Sequence, residues 1–215
     1  MAKNMLPLEK AARKADFDAP LSFESHDIGG KTLGIIGLGN IGRTLAKKAH
    51  GGFDMEILGY DPFVKKEDLP DYITCVEDVD DIFRRADYVS LHLNASPEND
   101  NFVDKRRLEL MKPGACLLNF SRGSNVNEAD LYEALKNRVI AGAALDVFAQ
   151  EPVRADNPLL SLDNVVLSPH CAALTVEAMD RMSYQGCQGI VEILKGEKPT
   201  WCMNYEEVRA MREKG

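Results

Sequence analysis

Residues Gly37-Leu38-Gly39-Asn40-Ile41-Gly42 have the spacing G-x-G-x-x-G and are the strongest indication of the fold in this sequence. It follows an apolar run over residues 32–38 and opens a helical pattern over residues 41–51. In this setting the first glycine permits a tight turn, the second lets the backbone approach a pyrophosphate, and the third allows close packing of helix on strand. Because a helix N-terminus also offers free N–H groups and partial positive charge, we expect residues 37–42 to hold phosphates.

A carboxylate lies at the end of the next predicted strand. Asp61 follows the third glycine by about 20 residues, the distance at which dinucleotide-binding folds place an acidic side chain on the adenosine ribose. Such a carboxylate bonds the ribose hydroxyls and repels a 2′-phosphate, so the sequence predicts NAD rather than NADP as cofactor. The alternative is that Asp61-Pro62 only starts a turn.

The rest of the chain alternates between apolar runs and helical patterns. The runs are nearly continuous, as in strands buried on both faces, and cover residues 32–38, 55–60, 88–93, 115–120, 140–148 and 164–167. The helical patterns cover residues 41–51, 77–86, 104–111 and 128–137, the last with Asn127 as its expected N-cap. This order predicts an α/β fold with a doubly wound parallel sheet, the Rossmann fold.

The two ends of the chain differ from its middle. A helix is predicted over residues 5–14, with a polar linker over residues 15–30. A long amphipathic helix is predicted over residues 175–195, where the residues spaced for burial on one side are Met179, Met182, Ile190, Ile193 and Leu194. The tail carries Trp201, Cys202, Met203 and Tyr205, which is apolar for a free terminus, so we expect it to be covered.

Composition argues against several classes of partner. The net charge of −8 and the sequence pI near 5.1 leave no basic field, so we expect neither nucleic acid nor a membrane surface as partner. The five cysteines are scattered and never form C-x-x-C, which argues against a disulfide framework or a metal site and favours the cytoplasm. We find no apolar run of about 20 residues and no signal-peptide core.

Three further motifs each follow a predicted strand, where open α/β sheets place their ligands. They are Asn119-Phe120-Ser121-Arg122-Gly123, Asp146-Val147-Phe148-Ala149-Gln150-Glu151-Pro152 and Ser168-Pro169-His170. Their order and setting resemble the Arg, Glu and His of the D-isomer-specific 2-hydroxyacid dehydrogenases, a family that includes phosphoglycerate dehydrogenase. The resemblance runs from about residue 28 to residue 203. Taken singly, each of the three residues also has a purely structural interpretation. Arg122 is then a surface residue, Glu151 a loop carboxylate before proline, and His170 a capped or packed histidine.

The resemblance implies a role for each of these side chains. A histidine is the usual side chain for moving a proton to or from oxygen during hydride transfer, and His170 is the candidate. Glu151 is expected to bond its other ring nitrogen. Arg122 offers the planar, permanent charge that suits a substrate carboxylate. Asp146 is expected to accept a hydrogen bond from the nicotinamide carboxamide. His92, at the end of the run over residues 88–93, is expected to lie in the same crevice.

One departure from the family lies beside His92. Related enzymes often carry His-Leu-Pro there, whereas this chain has Asn94 in place of the proline. We therefore expect the loop that faces the cofactor to have a different shape.

The resemblance also implies a domain organisation. Residues 1–27 are interpreted as a crossing helix and linker, residues 28–174 as the NAD-binding domain, and residues 175–215 as a return helix and the remnant of a smaller substrate domain whose first segment is missing. Two functions stay open. One is an NAD-dependent oxidoreductase, or its cofactor-binding half, acting on a small 2-hydroxy or 2-keto acid, and it is favoured by the Arg, Glu and His set. The other is a non-catalytic NAD-binding regulatory module, favoured by the missing segment. A homodimer is expected by analogy with relatives.

Overall fold

The computed structural model describes residues 1–202 and 204–212. The chain divides into two compact units, Met1–His170 and Cys171–Gly215. The first unit contains seven strands: β1 (Thr32–Ile36), β2 (Glu56–Tyr60), β3 (Ile73–Cys75), β4 (Tyr88–Leu91), β5 (Cys116–Asn119), β6 (Gly142–Leu145) and β7 (Val165–Leu167). They form one sheet in the order β3-β2-β1-β4-β5-β6-β7, and every pair is parallel. The predicted doubly wound α/β fold is confirmed.

Helices connect most of the strands. The first unit contains α1 (Met5–Ala12), α2 (Asn40–Phe53), α3 (Asp80–Arg85), α4 (Lys105–Leu110) and α5 (Glu128–Lys136). Short 3-10 turns occupy Ala19–Ser22, Lys66–Asp68, Pro97–Asn99, Gly123–Asn125 and Pro158–Ser161. The second unit contains α6 (Val176–Leu194) and α7 (Tyr205–Arg212). Among the described residues, none of these helices combines the length and apolar character needed to cross a bilayer.

The side chains of β1 show why helices cover both faces of the sheet. Leu33 and Ile35 pack in a cluster with Ala46 of α2, whereas Ile36 packs in a second cluster with Ile82 of α3. Successive strand residues point to opposite faces, so α2 and α3 lie on opposite sides of the sheet. Because both faces are apolar, the strand reads as a continuous apolar run in the sequence.

Polar side chains cap three of the described helices, among them α6, where the Thr175 hydroxyl accepts from the N–H of Ala178 at 3.1 Å. The Asn127 side chain accepts hydrogen bonds from the backbone N–H groups of Ala129 and Asp130, at 3.1 and 3.2 Å. This confirms the predicted N-cap of α5. Asp104 caps α4 in the same way, accepting from the N–H of Arg107 at 2.9 Å. Such caps satisfy N–H groups that have no partner within the helix.

Three elements differ from the sequence-based predictions. The edge strand β3 was not predicted, because three residues are too few to show a periodic pattern. Helix α7 was also not predicted, and Met203, part of the apolar tail, lies outside the described residues. The third element, α6, has no buried residue in the described chain, and Ile190 and Leu194 are 62% and 82% exposed, so the burial of its apolar side stays a prediction.

Candidate functional site

Parallel pairing brings the carboxyl ends of six strands to one edge of the sheet. Ile36 at the end of β1 pairs with Tyr60 and with Leu91, and the same register continues through Asn119, Leu145 and Leu167. Neighbouring strands lie about 4.8 Å apart, so the residue that follows one strand lies close to the residue that follows the neighbouring strand. Those next residues are Gly37, Asp61, His92, Phe120, Asp146 and Ser168.

The glycine turn between β1 and α2 leaves no room for side chains at two of its glycines. Gly37 has φ +98°, and a Cβ there would lie 2.5 Å from the carbonyl oxygen of His92. A Cβ at Gly42 would lie 2.1 Å from the carbonyl oxygen of Gly37, so only glycine lets the helix start this close to the strand.

Space for a ligand lies over the middle of the same turn. A Cβ at Gly39 would meet no protein atom within 4 Å, and Gly39 is the N-cap of α2. Asn40 and Ile41, the first residues of α2, are exposed, Ile41 by 70%. An open helix N-terminus fits the pyrophosphate of a dinucleotide.

Asp61 connects the glycine turn to the end of β2. Its Oδ2 accepts a hydrogen bond from the Leu38 N–H at 2.8 Å, and its Oδ1 accepts from the Phe63 N–H at 2.9 Å. The second bond is a local turn contact, as the alternative reading of Asp61-Pro62 expects. A carboxylate has about four acceptor positions, so these two bonds leave capacity for ribose hydroxyls.

His92 is held beside the glycine turn. Its N–H donates to the carbonyl of Ile36 at 2.8 Å, and its Nε2 lies 3.0 Å from the Ser90 hydroxyl. Burial lowers the pKa of His92 to about 4, because the charged imidazolium loses its hydration there. The ring is therefore neutral at neutral pH.

Arg122 projects from a turn whose backbone is fixed by buried polar side chains. The Asn119 side chain accepts from the N–H and hydroxyl of Ser121, at 3.1 and 2.8 Å, and donates to the carbonyl of Arg122 at 2.9 Å. The guanidinium itself is exposed and donates to the Ser121 carbonyl at 2.7 Å. No carboxylate of residues 1–202 or 204–212 forms an ion pair with it, so its charge is available to an anionic ligand.

The Arg122 turn touches the segment that carries Glu151. A Cβ at Gly123 would lie 1.9 Å from the carbonyl carbon of Phe148, so the two backbones are in direct contact. The Phe148 N–H donates to Glu151 Oε1 at 3.0 Å, and Glu151 Oε2 lies 2.7 Å from His170 Nδ1. An unbroken series of contacts thus connects the three sequence-predicted groups.

The His170–Glu151 pair is accessible from solvent, with side chains 52% and 36% exposed. The hydrogen bond from His170, and then that from the Phe148 N–H, hold the pKa of Glu151 below its ordinary value. Glu151 is therefore ionised at neutral pH, and it orients the ring so that Nε2 is the nitrogen that can meet a substrate.

The backbone of His170 is held in an unusual conformation. His170 has φ 51°, the left-handed region that costs a non-glycine residue about 1 kcal/mol or more. Its N–H donates to the carbonyl of Asp146 at 2.7 Å. The Asp146 side chain, 2% exposed, accepts from the Ser168 hydroxyl at 2.6 Å. Asp146 thus fixes the loop that carries the imidazole.

Sequence reasoning missed supporting residues around these groups. The Glu128 carboxylate, in the first turn of α5, accepts from the Ala149 N–H at 2.6 Å and from the Asn157 side chain at 2.8 Å. Asn119 and Asn125 were given no role, yet they are 1% and 0% exposed. The available signal was the position of Asn119 within a site motif and of Asn125 two residues after it.

Known proteins share this arrangement of elements. A family model described as "D-isomer specific 2-hydroxyacid dehydrogenase, NAD binding domain" matches residues 1–172. The D-3-phosphoglycerate dehydrogenase of Methanocaldococcus jannaschii is 39% identical over 197 residues, which cover 91% of this chain and 37% of that protein.

Two solved structures have the same fold. D-lactate dehydrogenase with NAD+ from Lactobacillus jensenii superposes with a TM-score of 0.82 at 30% identity, covering 93% of this chain and 63% of that one. An acyclic imino acid reductase in complex with NADPH and D-Arg superposes with a TM-score of 0.83 at 32% identity, covering 93% and 62%. The chain thus spans less than two thirds of each of these relatives. It belongs to the D-isomer-specific 2-hydroxyacid dehydrogenase family, with an NAD-binding domain of that family over residues 1–172.

Proposed function

We propose that this chain is the cofactor-binding and catalytic part of an NAD-dependent oxidoreductase that interconverts a small 2-hydroxy acid and its 2-keto acid. The observation that carries the proposal is the His170–Glu151 pair at 2.7 Å, connected through Phe148 and Gly123 to the turn that presents Arg122. A protein that only binds a dinucleotide has no need of these three groups.

The glycine turn and Asp61 are the proposed cofactor contacts. Gly37, Gly39 and Gly42 with the N-terminus of α2 hold the pyrophosphate, and His92 and Asp146 face the nicotinamide end. Bound NADH supplies the hydride that reduces the keto carbon. The negative charge of Asp61 favours NAD over NADP, since a 2′-phosphate placed beside it is repelled.

Each remaining group has one task in keto-acid reduction. Arg122 binds the substrate carboxylate by charge-assisted hydrogen bonds. The His170 imidazolium donates the Nε2 proton to the oxygen of the keto carbon as that oxygen gains negative charge, which yields the hydroxyl. Glu151 stays ionised and stabilises the imidazolium through Nδ1. In the reverse direction neutral His170 takes the hydroxyl proton.

An assay with a panel of 2-keto acids tests the catalytic proposal. We expect NADH oxidation that His170→Ala lowers by about 100-fold or more, while the affinity for NADH, measured by its fluorescence, stays within about twofold. His26→Ala is the matched control, because His26 is exposed and outside the site. Tight NADH binding without turnover of any keto acid refutes the enzyme and supports the non-catalytic module. Equal loss of turnover and NADH binding in His170→Ala marks a structural histidine.

Cofactor preference is tested at Asp61. We expect Asp61→Ala to narrow the ratio of NADPH to NADH dissociation constants by about 10-fold, because one repulsive charge is removed. Equal affinity of the unmodified protein for both cofactors contradicts this assignment.

We also propose that the protein is a homodimer and that α6 takes part in the interface. Its exposed apolar residues Met179, Met182, Ile190 and Leu194 recur at helical spacing, and such a stripe is stable in water only when covered. Sedimentation velocity is expected to give a dimer that Met182→Asp weakens. A monomer at micromolar concentration contradicts the proposal.

The remaining assignments stay predictions. The boundaries between residues 27 and 28 and between residues 174 and 175, with a substrate-domain remnant after the second, come from the family resemblance. A reducing compartment, the cytoplasm, is supported by five free thiols. Neither nucleic acid nor a membrane surface is proposed as a partner, given the net charge of −8.

A further inference from the structure

The loop after β4 and the Arg122 turn run side by side and share backbone hydrogen bonds. The N–H of Asn101 donates to the carbonyl of Ser124 at 2.7 Å, and the N–H of Val103 donates to the carbonyl of Asn125 at 2.9 Å. The N–H of Asn127 returns a bond to the carbonyl of Val103 at 2.9 Å. These bonds join residues 101–103 to residues 124–127.

The side chain of Asn125 adds further bonds between the same two segments. Its Nδ2 donates to the carbonyl of Asn99 at 3.2 Å and to the carbonyl of Asn94 at 3.3 Å. The Asn99 side chain in turn donates to the carbonyl and side-chain oxygens of Asn94, at 3.1 and 3.0 Å. Asn94 lies two residues after His92, so the bonds reach the part of the loop that starts at the sheet edge.

The other end of the same amide reaches the Arg122 turn. Asn125 Oδ1 lies 3.1 Å from the Ser121 hydroxyl, whose single proton it shares with Asn119 Oδ1 at 2.8 Å. Since the Nδ2 group donates to two carbonyls, the orientation of the amide is fixed by its partners. Ser121 immediately precedes Arg122 and accepts the bond from its guanidinium.

Burial makes this amide sensitive to substitution. Asn125 is 0% exposed, and no buried side-chain N or O atom in the described residues lacks a partner. Replacing the amide with an apolar group would remove one hydrogen bond from each of the Asn94 and Asn99 carbonyls and one acceptor from the buried Ser121 hydroxyl. The side-chain bonds between the loop and the Arg122 turn would then be lost.

We propose that Asn125 is a positioning residue that ties the loop over residues 94–99 to the Arg122 turn, so that the substrate carboxylate and the nicotinamide end of the crevice keep a fixed separation. The proposal rests on the function proposed above. Asn125 touches neither substrate nor cofactor and acts through Ser121 on one side and through Asn94 and Asn99 on the other.

Kinetics of Asn125→Leu provide the first test. We expect kcat/KM for the 2-keto acid to fall about 10- to 100-fold, mainly through KM, because a shift of about 1 Å in a positioned group has effects of this size. The KM for NADH is expected to change less than about twofold, because the glycine turn is untouched. Asn137→Leu is the matched control. Asn137 is exposed, and among the described residues its side chain bonds one other side chain, that of Glu133.

Hydrogen exchange provides a second test that needs no turnover. In Asn125→Leu the amides of Asn99 and Phe102 are expected to exchange faster, while those of Val103 and Asn127 keep their protection. Asn125→Asp is the second variant in case the leucine variant does not fold. It keeps the acceptor for Ser121 and loses the donors to the loop, so we expect the same exchange pattern. If no 2-keto acid is turned over, the proposed function fails, and the exchange pattern still decides whether Asn125 holds the loop.

A double-mutant cycle with Ser121→Ala tests whether Asn125 acts on Arg122 through Ser121. We expect the losses in kcat/KM of Asn125→Leu and Ser121→Ala to be clearly less than additive, because both break the same connection. Additive losses, or a folded Asn125 variant with unchanged KM and unchanged exchange over residues 94–102, overturn the proposal.

Discussion

Protonation of His92 is expected to destabilise the fold in a pH range where the carboxylates contribute little. The pKa of His92 is lowered to about 4 by burial, whereas an unfolded histidine has a pKa of about 6.5. Between these values the unfolded chain binds the proton and the folded chain does not, so stability is full above pH 6.5 and falls as pH is lowered toward 4. Linkage over the whole range gives about 3 kcal/mol, of which about 2 kcal/mol is lost between pH 7 and pH 5.

Urea unfolding at pH 7, 6 and 5, followed by circular dichroism, measures this loss. His92→Gln keeps a polar group near Ser90 but cannot titrate, so we expect it to lose about 2 kcal/mol less than the unmodified protein between pH 7 and pH 5. His26→Gln is the control, since His26 is exposed and its replacement is expected to leave the pH dependence unchanged. The carboxyl groups of lowered pKa, such as Glu151, lose their contribution only near and below pH 4. Parallel pH dependences for the unmodified protein and His92→Gln refute the reasoning.

Two further substitutions test the contacts that join the site. Glu151→Gln removes the charge that favours the His170 imidazolium, so keto-acid reduction is expected to slow about 100-fold and the limb of its pH–rate profile that depends on the imidazolium is expected to move to lower pH. An unmoved limb contradicts the proposed His170–Glu151 pair. Gly123→Ala places a Cβ 1.9 Å from the Phe148 carbonyl carbon, so we expect the free energy of unfolding to fall by at least about 2 kcal/mol. Gly114→Ala is the control, because a Cβ at Gly114 meets open space, and we expect it to change the free energy of unfolding by less than about 0.5 kcal/mol. Similar stabilities for the two alanine variants refute that close contact.

The proposed catalytic pair is exposed but well fixed. Glu151 and His170 are both accessible, yet each is held from the buried side: Glu151 by the Phe148 N–H, and His170 by the carbonyl of Asp146. The pair therefore combines access for a ligand with backbone positions that are set by the sheet. In the same way, Asn125 contacts the turn that carries Arg122 through the Ser121 hydroxyl, and Glu128 holds the loop that carries Glu151 through the Ala149 N–H.

From the sequence alone it was possible to predict six of the seven strands, the helices that separate most of them, the glycine turn and the candidate side chains of the site. These features are local: a G-x-G-x-x-G turn needs only its own glycines, and a strand buried on both faces is apolar along its own length. Asn127 was recognisable as a cap for the same reason, since its partners lie two and three residues away.

Contacts between distant residues became apparent only in the folded chain. The contact of Gly123 with Phe148, the bonds from Asn125 to Asn94, and those from Glu128 to Ala149 join segments whose spacing in the sequence follows no period. They arise because parallel strands β4 to β7 bring four separate loops to one edge, where buried polar groups must find partners that water does not supply. The pattern of α6 was also readable as amphipathic, but whether its apolar side is covered depends on what packs against it, which no helical period encodes.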